Sequence, residues 1–513
     1  MSCQQRDDLM SNDLHWSNID RKTRATIMIG LAMGMLLACL DGTIVSTSLP
    51  HIVGDLGGYE HYSWVFTGFM LCETAMIPIA GKLSDQYGRK PIFLIGISIF
   101  LVGSVLCGIC GSMSQLIIFR AIQGIGGGML VPVATATVAD LYSPTERGKM
   151  QGMLGALFAV AMCIGPFLGG YISDHMSWHW IFFINLPIGL AALAFTAKKF
   201  PSQEIARSKV DYTGMMLLTG FLFTLLLFFT WAGIDFPWLS IESAVMVVVF
   251  IILLLLFVFN ETKAEEPILR PSLFKSRMFV CCAAVMFIFG VALMGIMAYL
   301  PMFMQTVIGM SATNSGAIML PFVIGVAITS MVSGFAVKKT GYQPWLIAGP
   351  IIAAFGMYLL STLSMGSPQS TAIAYLFITG LGMGCVMSII MIAVQNDAAR
   401  GEMGMVTSSV NLFRSIGSTI AVGVFTTIIN GRITTELWNV LPEAIYDQVP
   451  HTVGVLEVLQ YFPAYAKDII FAYGESVTFA FLIGGIIILF VLLMAVFIRG
   501  RPTDDPNESA IEE

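Results

Sequence analysis

Residues 81–90 read Gly81-Lys82-Leu83-Ser84-Asp85-Gln86-Tyr87-Gly88-Arg89-Lys90 and interrupt two long apolar runs. A turn that only joined two helices would need a glycine and something polar. Here an aspartate and three cations stand in a fixed glycine frame. Gly81 and Gly88 let backbones approach closely, and Asp85 and Arg89 can pair across a helix bundle or bind a helix terminus. The stretch therefore predicts a latch at the mouth of a helical membrane protein.

The surrounding composition agrees. Of 513 residues, 56% are hydrophobic and only 11% charged, with a mean hydropathy of +0.82. These values describe a polytopic membrane protein and not a soluble one. A spanning helix needs about 20 apolar residues, and fourteen such windows lie between residues 26 and 498. Their continuously apolar character predicts helices and not barrel strands.

All but four of the 26 Lys and Arg residues fall on one side if both termini are cytoplasmic. The exceptions are Arg120 and Arg414 inside spans, and Arg432 and Lys467 in an expected outer loop, 431–472. Cys107 and Cys110 form a C-x-x-C that reads as packing, and no metal site is expected. Neither the net charge of −6 nor any basic run suggests a nucleic-acid partner. Gly124-Ile125-Gly126-Gly127-Gly128 lacks the lysine of a phosphate-binding loop, so no nucleotide or other cofactor is expected.

An internal repeat divides the chain. Gly334 and Gly341 reproduce the seven-residue spacing of Gly81 and Gly88, with Lys338 where Asp85 stood. Gly380, Gly382 and Gly384 likewise echo Gly124, Gly126 and Gly128. The expected organisation is a cytoplasmic tail (1–25), an N-terminal six-helix bundle (26–198), a linker with two inserted spans (199–277), a C-terminal six-helix bundle (278–498) and a second tail (499–513).

With these motifs in place, the loop G-x-L-x-D-x-x-G-R-K resembles the signature of the major facilitator superfamily. The six-plus-two-plus-six layout resembles its fourteen-span drug:proton antiporters. Further resemblance lies in Leu40-Asp41-Gly42-Thr43 of span 1, Arg120-x-x-Gln123-Gly124 of span 4, Gly165-Pro166-x-x-Gly169-Gly170 of span 5 and Trp178 to Pro187 entering span 6. The resemblance implies an all-α major facilitator fold. It also implies that the span 5 motif marks an exporter exchanging substrate for protons, and that Asp41 and Arg120 face a central cavity. Ala161 departs from the glycine common in that motif.

Ionisable residues inside a bilayer are costly and are functional candidates by default. Asp41, Glu73 and Arg120 form the expected proton-coupling group. Glu73, without an evident partner and without a family precedent, is the preferred carrier. Arg414 in span 13 has no acid alongside it in sequence, and a substrate oxygen or a helix end are its alternative partners. Thr43, Gln123, Gln305, Asn411 and Arg414 are the expected polar points of a cavity whose Met and Phe content suits lipophilic substrates. Gly165 and Pro166 predict a helix able to bend or slide.

The expected function is export of lipophilic, cationic compounds from the cell by a monomeric protein of the cell membrane, driven by protons and not by enzymatic chemistry. An uptake symporter or facilitator of the same fold, an exporter of an anionic or neutral metabolite, and a non-transporting membrane protein are the alternatives.

Overall fold

The computed structural model describes residues 19–57, 64–200, 210–232, 236–310, 317–398, 402–440 and 462–502. The described residues are helical almost throughout. In chain order the first bundle comprises α1 (Arg21–Leu56), α2 (Trp64–Tyr87), α3 (Arg89–Gly108), α4 (Met113–Leu141), α5 (Pro144–His175) and α6 (Trp180–Lys198). The inserted pair is α7 (Tyr212–Trp231) and α8 (Ile241–Lys263). The second bundle comprises α9 (Arg277–Thr306), α10 (Leu320–Thr340), α11 (Gln343–Ser361), α12 (Gln369–Asp397), α13 (Met403–Val440) and α14 (Ala466–Leu489).

Thirteen helices among the described residues are long and apolar enough to cross a membrane. The remaining expected span, α5, is a 32-residue helix whose inner-end charges and glycines dilute its hydropathy. Its length of about 48 Å, at ~1.5 Å per residue, still exceeds the bilayer core.

Small residues set the packing. In α4, a Cβ on Gly128 would clash with the Glu73 carbonyl of α2, and one on Gly126 would lie 2.7 Å from the Gly96 carbonyl of α3. In α12, the corresponding Gly384 faces the Val326 carbonyl of α10 and Gly382 faces the Gly349 carbonyl of α11. The two glycine runs therefore play the same part in the two bundles, each bringing two neighbours to van der Waals distance.

The bundles meet along two seams, α2 against α13 and α5 against α10. The inserted pair is unequal. Helix α7 lies against both α2 and α13, whereas α8 packs chiefly on α7 and leaves most of its apolar surface outward. Thus α7 fills the side of one seam and α8 faces lipid.

Two boundaries differ from expectation. Helix α13 runs unbroken to Val440, and α14 begins at Ala466, so the outer connection is shorter than 431–472. Polar residues carry the helix beyond the apolar window, helped by Arg432 and Glu436, paired at 2.8 Å one turn apart. The apolar stretch Val453 to Leu459 lies outside the described residues.

Candidate transport site

Asp41 and Arg120 of the first bundle are held in one buried polar network. Asp41 on α1 accepts hydrogen bonds from Arg120 Nη1, from Gln123 Nε2 at 2.8 Å and from Asn185 Nδ2 at 3.0 Å. Arg120 Nη1 also donates to Gln123 Oε1 at 2.9 Å, and its guanidinium lies 4.1 Å from the Phe69 ring centre. Asn185 is held in turn by Ser104. All five polar residues are fully buried. A buried ion pair is tolerable only when further hydrogen bonds support it; here Val65 of α2, Gln123 of α4 and Asn185 of α6 supply them, while Arg120 Nη2 is left without a partner.

Asp41 and Arg120 therefore meet, but inside the first bundle and not on a wall shared with the second. Gln123, expected to line the cavity, belongs to the same buried cluster. Asn185 was noted from sequence only within the segment Trp178 to Pro187, with no site role, and Ser104 was not singled out. Their polarity in otherwise apolar spans was the available signal.

Glu73 on α2 is only half-buried, and among the described residues no hydrogen bond or ion pair ties it to another side chain. The charges acting on it are Arg414 first, then Arg120 and Asp41. Arg414 thus has an acid facing it after all, contributed by the other bundle and separated by most of the chain. Its guanidinium stands 5.7 Å from the Phe158 ring centre, and its buried Nε has no hydrogen-bond partner. Cys39 of α1 is influenced by both charges. Helices α1, α2, α5 and α13 therefore converge on one point between the bundles.

A cavity of about 30 Å³ opens beside Arg414, lined among others by Met35, Gln151, Phe158, Met391 and Asn411. At ~10–15 Å³ per water it holds about two. Asn411 donates to the Thr407 carbonyl at 3.0 Å. Thr43 lies instead where α1 meets α5: its hydroxyl bonds the Leu40 carbonyl at 3.0 Å and occupies the space a Cβ on Gly165 would need. Ser48 donates to the Gly169 carbonyl at 3.1 Å on the same seam. Helix α5 passes Gly165, Pro166, Gly169 and Gly170 without interruption, and a Cβ on Gly170 would meet nothing within 4 Å. The Pro166 ring lies outside the described residues. Gln305 is exposed at the outer end of α9, away from Arg414.

Below this cavity the inner end is closed. Asp85 accepts from the N–H groups of Gly404 and Met405 at 2.9 and 2.7 Å, so it caps the N-terminus of α13, which attracts negative charge. Arg89 holds Asp85 at 2.6 Å and Asp140 at 2.8 Å. Gly81 packs against Gly404, where a Cβ would sit 2.5 Å from the facing carbonyl. Gly88, with φ +88°, makes the left-handed turn between α2 and α3.

The equivalent turn of the second bundle is built differently. Gly341 has φ +75°, but Lys338 and Lys339 point to solvent. Gly334 meets Gly148 of α5 backbone to backbone. The polar closure at this seam comes from Arg147, which donates to the Gln395 carbonyl at 3.1 Å and to Asn396 Oδ1 at 2.9 Å. Gln151 and Gln395 add a bond of 3.0 Å. Asn396 donates to the Tyr342 hydroxyl at 3.0 Å, and burial pushes that phenol up to about 12, keeping it neutral at physiological pH.

These features have counterparts among known proteins. Residues 31–422 match the model of the Major Facilitator Superfamily. The chain is 39% identical over 414 residues to the multidrug transporter protein MdtP of Bacillus subtilis, covering 80% of this chain and 76% of that one. It is 38% identical over 412 residues to multidrug resistance protein 3 of the same organism, covering 80% of each. The proton:xylose symporter XylE shares the fold with a TM-score of 0.64 at 13% identity, over 96% of this chain and 100% of that one. The chain belongs to the Major Facilitator Superfamily and stands with its multidrug efflux transporters, a multi-pass protein of the cell membrane that moves small molecules and is not an enzyme.

Proposed function

We propose that the chain exports lipophilic compounds in exchange for protons, with Glu73 as the proton carrier and Arg414 as its partner across the bundles. One observation supports this reading above others. Glu73 is the central acid without a hydrogen-bonded or ion-paired side chain, and the charge acting on it most strongly sits on the opposite bundle. Rocking the bundles changes the distance between them, and an acid whose counter-charge recedes changes its proton affinity. Asp41 lacks this freedom, because losing its charge would strand three donors of its own bundle.

A cationic substrate drawn towards Glu73 competes with the proton, which couples the two fluxes. The inner closure at Asp85 and Arg147 then alternates with an outer one. The B. subtilis relatives carry the names multidrug transporter and multidrug resistance protein, which supports the outward direction. One proton falling through 100 mV supplies about 2.3 kcal/mol, roughly a 50-fold gradient when 1.4 kcal/mol is tenfold. A second reading, export of neutral or anionic compounds, is favoured by the unpartnered Nε of Arg414 beside the cavity.

Substrate-induced proton release from the purified protein tests the main reading. Addition of lipophilic cations should release protons from the wild type and not from Glu73→Gln. Unchanged release from Glu73→Gln would remove this acid from the mechanism, and release by anions alone would select the second reading.

A further inference from the structure

The inserted helices carry a second acidic site. Asp211 caps α7, accepting from the Gly214 N–H at 2.8 Å through Oδ1 and from Asn260 Nδ2 at 2.6 Å through Oδ2. Glu261, near the inner end of α8, is 4% exposed. Its Oε2 accepts from the Leu269 N–H at 2.8 Å, while Oε1 is buried with no hydrogen-bond partner. A Cβ on Gly214 would lie 2.8 Å from Glu261 Oε1 and would clash with Asp211 Oδ2, so both carboxylate oxygens line one space that only glycine leaves open. The charged groups facing Glu261 are Asp211 from the start of α7 and Lys82 from α2. Lys82 is already engaged by Glu266 at 2.6 Å.

We propose that Asp211 and Glu261 form a proton-binding pair, in which a proton on Glu261 Oε1 bridges to the Asp211 carboxylate. Two neighbouring carboxylates with one unsatisfied buried oxygen are completed by a single shared proton, taken from cytoplasmic water. The pair is connected to the inner closure. The Leu269 N–H that binds Glu261 belongs to the strap between α8 and α9. On one side of Leu269 this strap holds Lys82 of the latch through Glu266, and on the other Arg270 pairs with Glu402, just ahead of the α13 N-terminus that Asp85 caps. The strap thus spans the α2–α13 seam. With the proton bound, the strap is anchored and the inner end stays closed. Loss of the proton leaves the buried Glu261 carboxylate and the half-buried Asp211 carboxylate repelling each other, which loosens the anchor. An acid cytoplasm then slows further proton entry by holding the inner end shut.

The site is separate from Glu73, and two measurements on the full-length protein in lipid test it. Infrared difference spectra should show a protonated-carboxyl band at neutral pH that Glu261→Gln removes and Asp211→Asn shifts, while Glu73→Gln leaves it in place. Distances between spin labels introduced at Lys90 and Arg277 should report a several-fold rise in the inner-open population as pH increases from about 6 to about 9, absent from Glu261→Gln. Identical spectra for wild type and Glu261→Gln, or an unchanged pH response of the labels in that variant, would overturn the proposal. Neither readout requires that substrate transport be proton-coupled.

Discussion

Asp41 and Glu73 lie on successive helices of one bundle, yet they are provided for in opposite ways. Asp41 is fully buried and receives hydrogen bonds from α4 and from the start of α6, all within its own bundle. Glu73 is half-buried, and its strongest charged neighbour stands on α13 of the other bundle. A charge satisfied within a rigid bundle moves with that bundle and contributes equally to every access state. A charge whose partner lies across the interface contributes differently to each state, and only such a difference can drive a conformational equilibrium. On the proposed function, the two acids therefore divide into scaffold and coupling element.

The largest effect should come from breaking the scaffold. Arg120→Ala leaves the Asp41 carboxylate buried without its cation and should cost about 3–5 kcal/mol, read as a fall in thermal stability of the purified protein. A loss below ~1 kcal/mol would erase the distinction between the two acids. Next in size is Asp85→Ala, which strands the N–H groups of Gly404 and Met405 and should cost the inner-closed state about 1.5–3 kcal/mol. Labelling of a cysteine introduced at Gln151 from the cytoplasmic side should then accelerate, while overall unfolding changes less.

Ser104→Ala removes one support of Asn185 and should lower stability by about 1 kcal/mol with efflux preserved. Loss of efflux at that small cost would mean that the Asp41 network couples transport as well as supporting the fold. The smallest stability effect belongs to Glu73→Gln, within ~0.5 kcal/mol because no bonded partner is lost. Its thermal transition should match the wild type even where its proton release is gone, which sharpens the contrast with Arg120→Ala.

Much of this was legible in the chain. Gly81, Asp85, Gly88 and Arg89 announced an inner latch because charge and glycine at the end of an apolar run have few other uses. The echo at Gly334 and Gly341 announced its duplicate. The duplicate's polar closure was not legible, since Lys338 offered no acid and Arg147, Gln395 and Asn396 look like ordinary loop and helix-end residues until α5 and α12 meet. Gln123 was placed on the cavity wall because a polar residue in a span suggests solvent or substrate. Whether it faces a cavity or a neighbouring acid depends on the rotation of α4, which a run as uniformly small and apolar as Gly124 to Gly128 does not encode.

Hydropathy and the positions of Lys and Arg are local properties that act on each segment as it meets the membrane. The chain alone therefore determined that the protein is polytopic and helical, and it set the expectation that the basic loops lie inside and that two related bundles flank an inserted pair. The position of Glu73 opposite Arg414, the burial of Asp41 and the hydrogen bond from the strap to Glu261 depend on contacts between residues far apart in the chain. Only the packing of the bundles decides them, because a buried charge takes its properties from whatever the fold brings within a few ångströms of it.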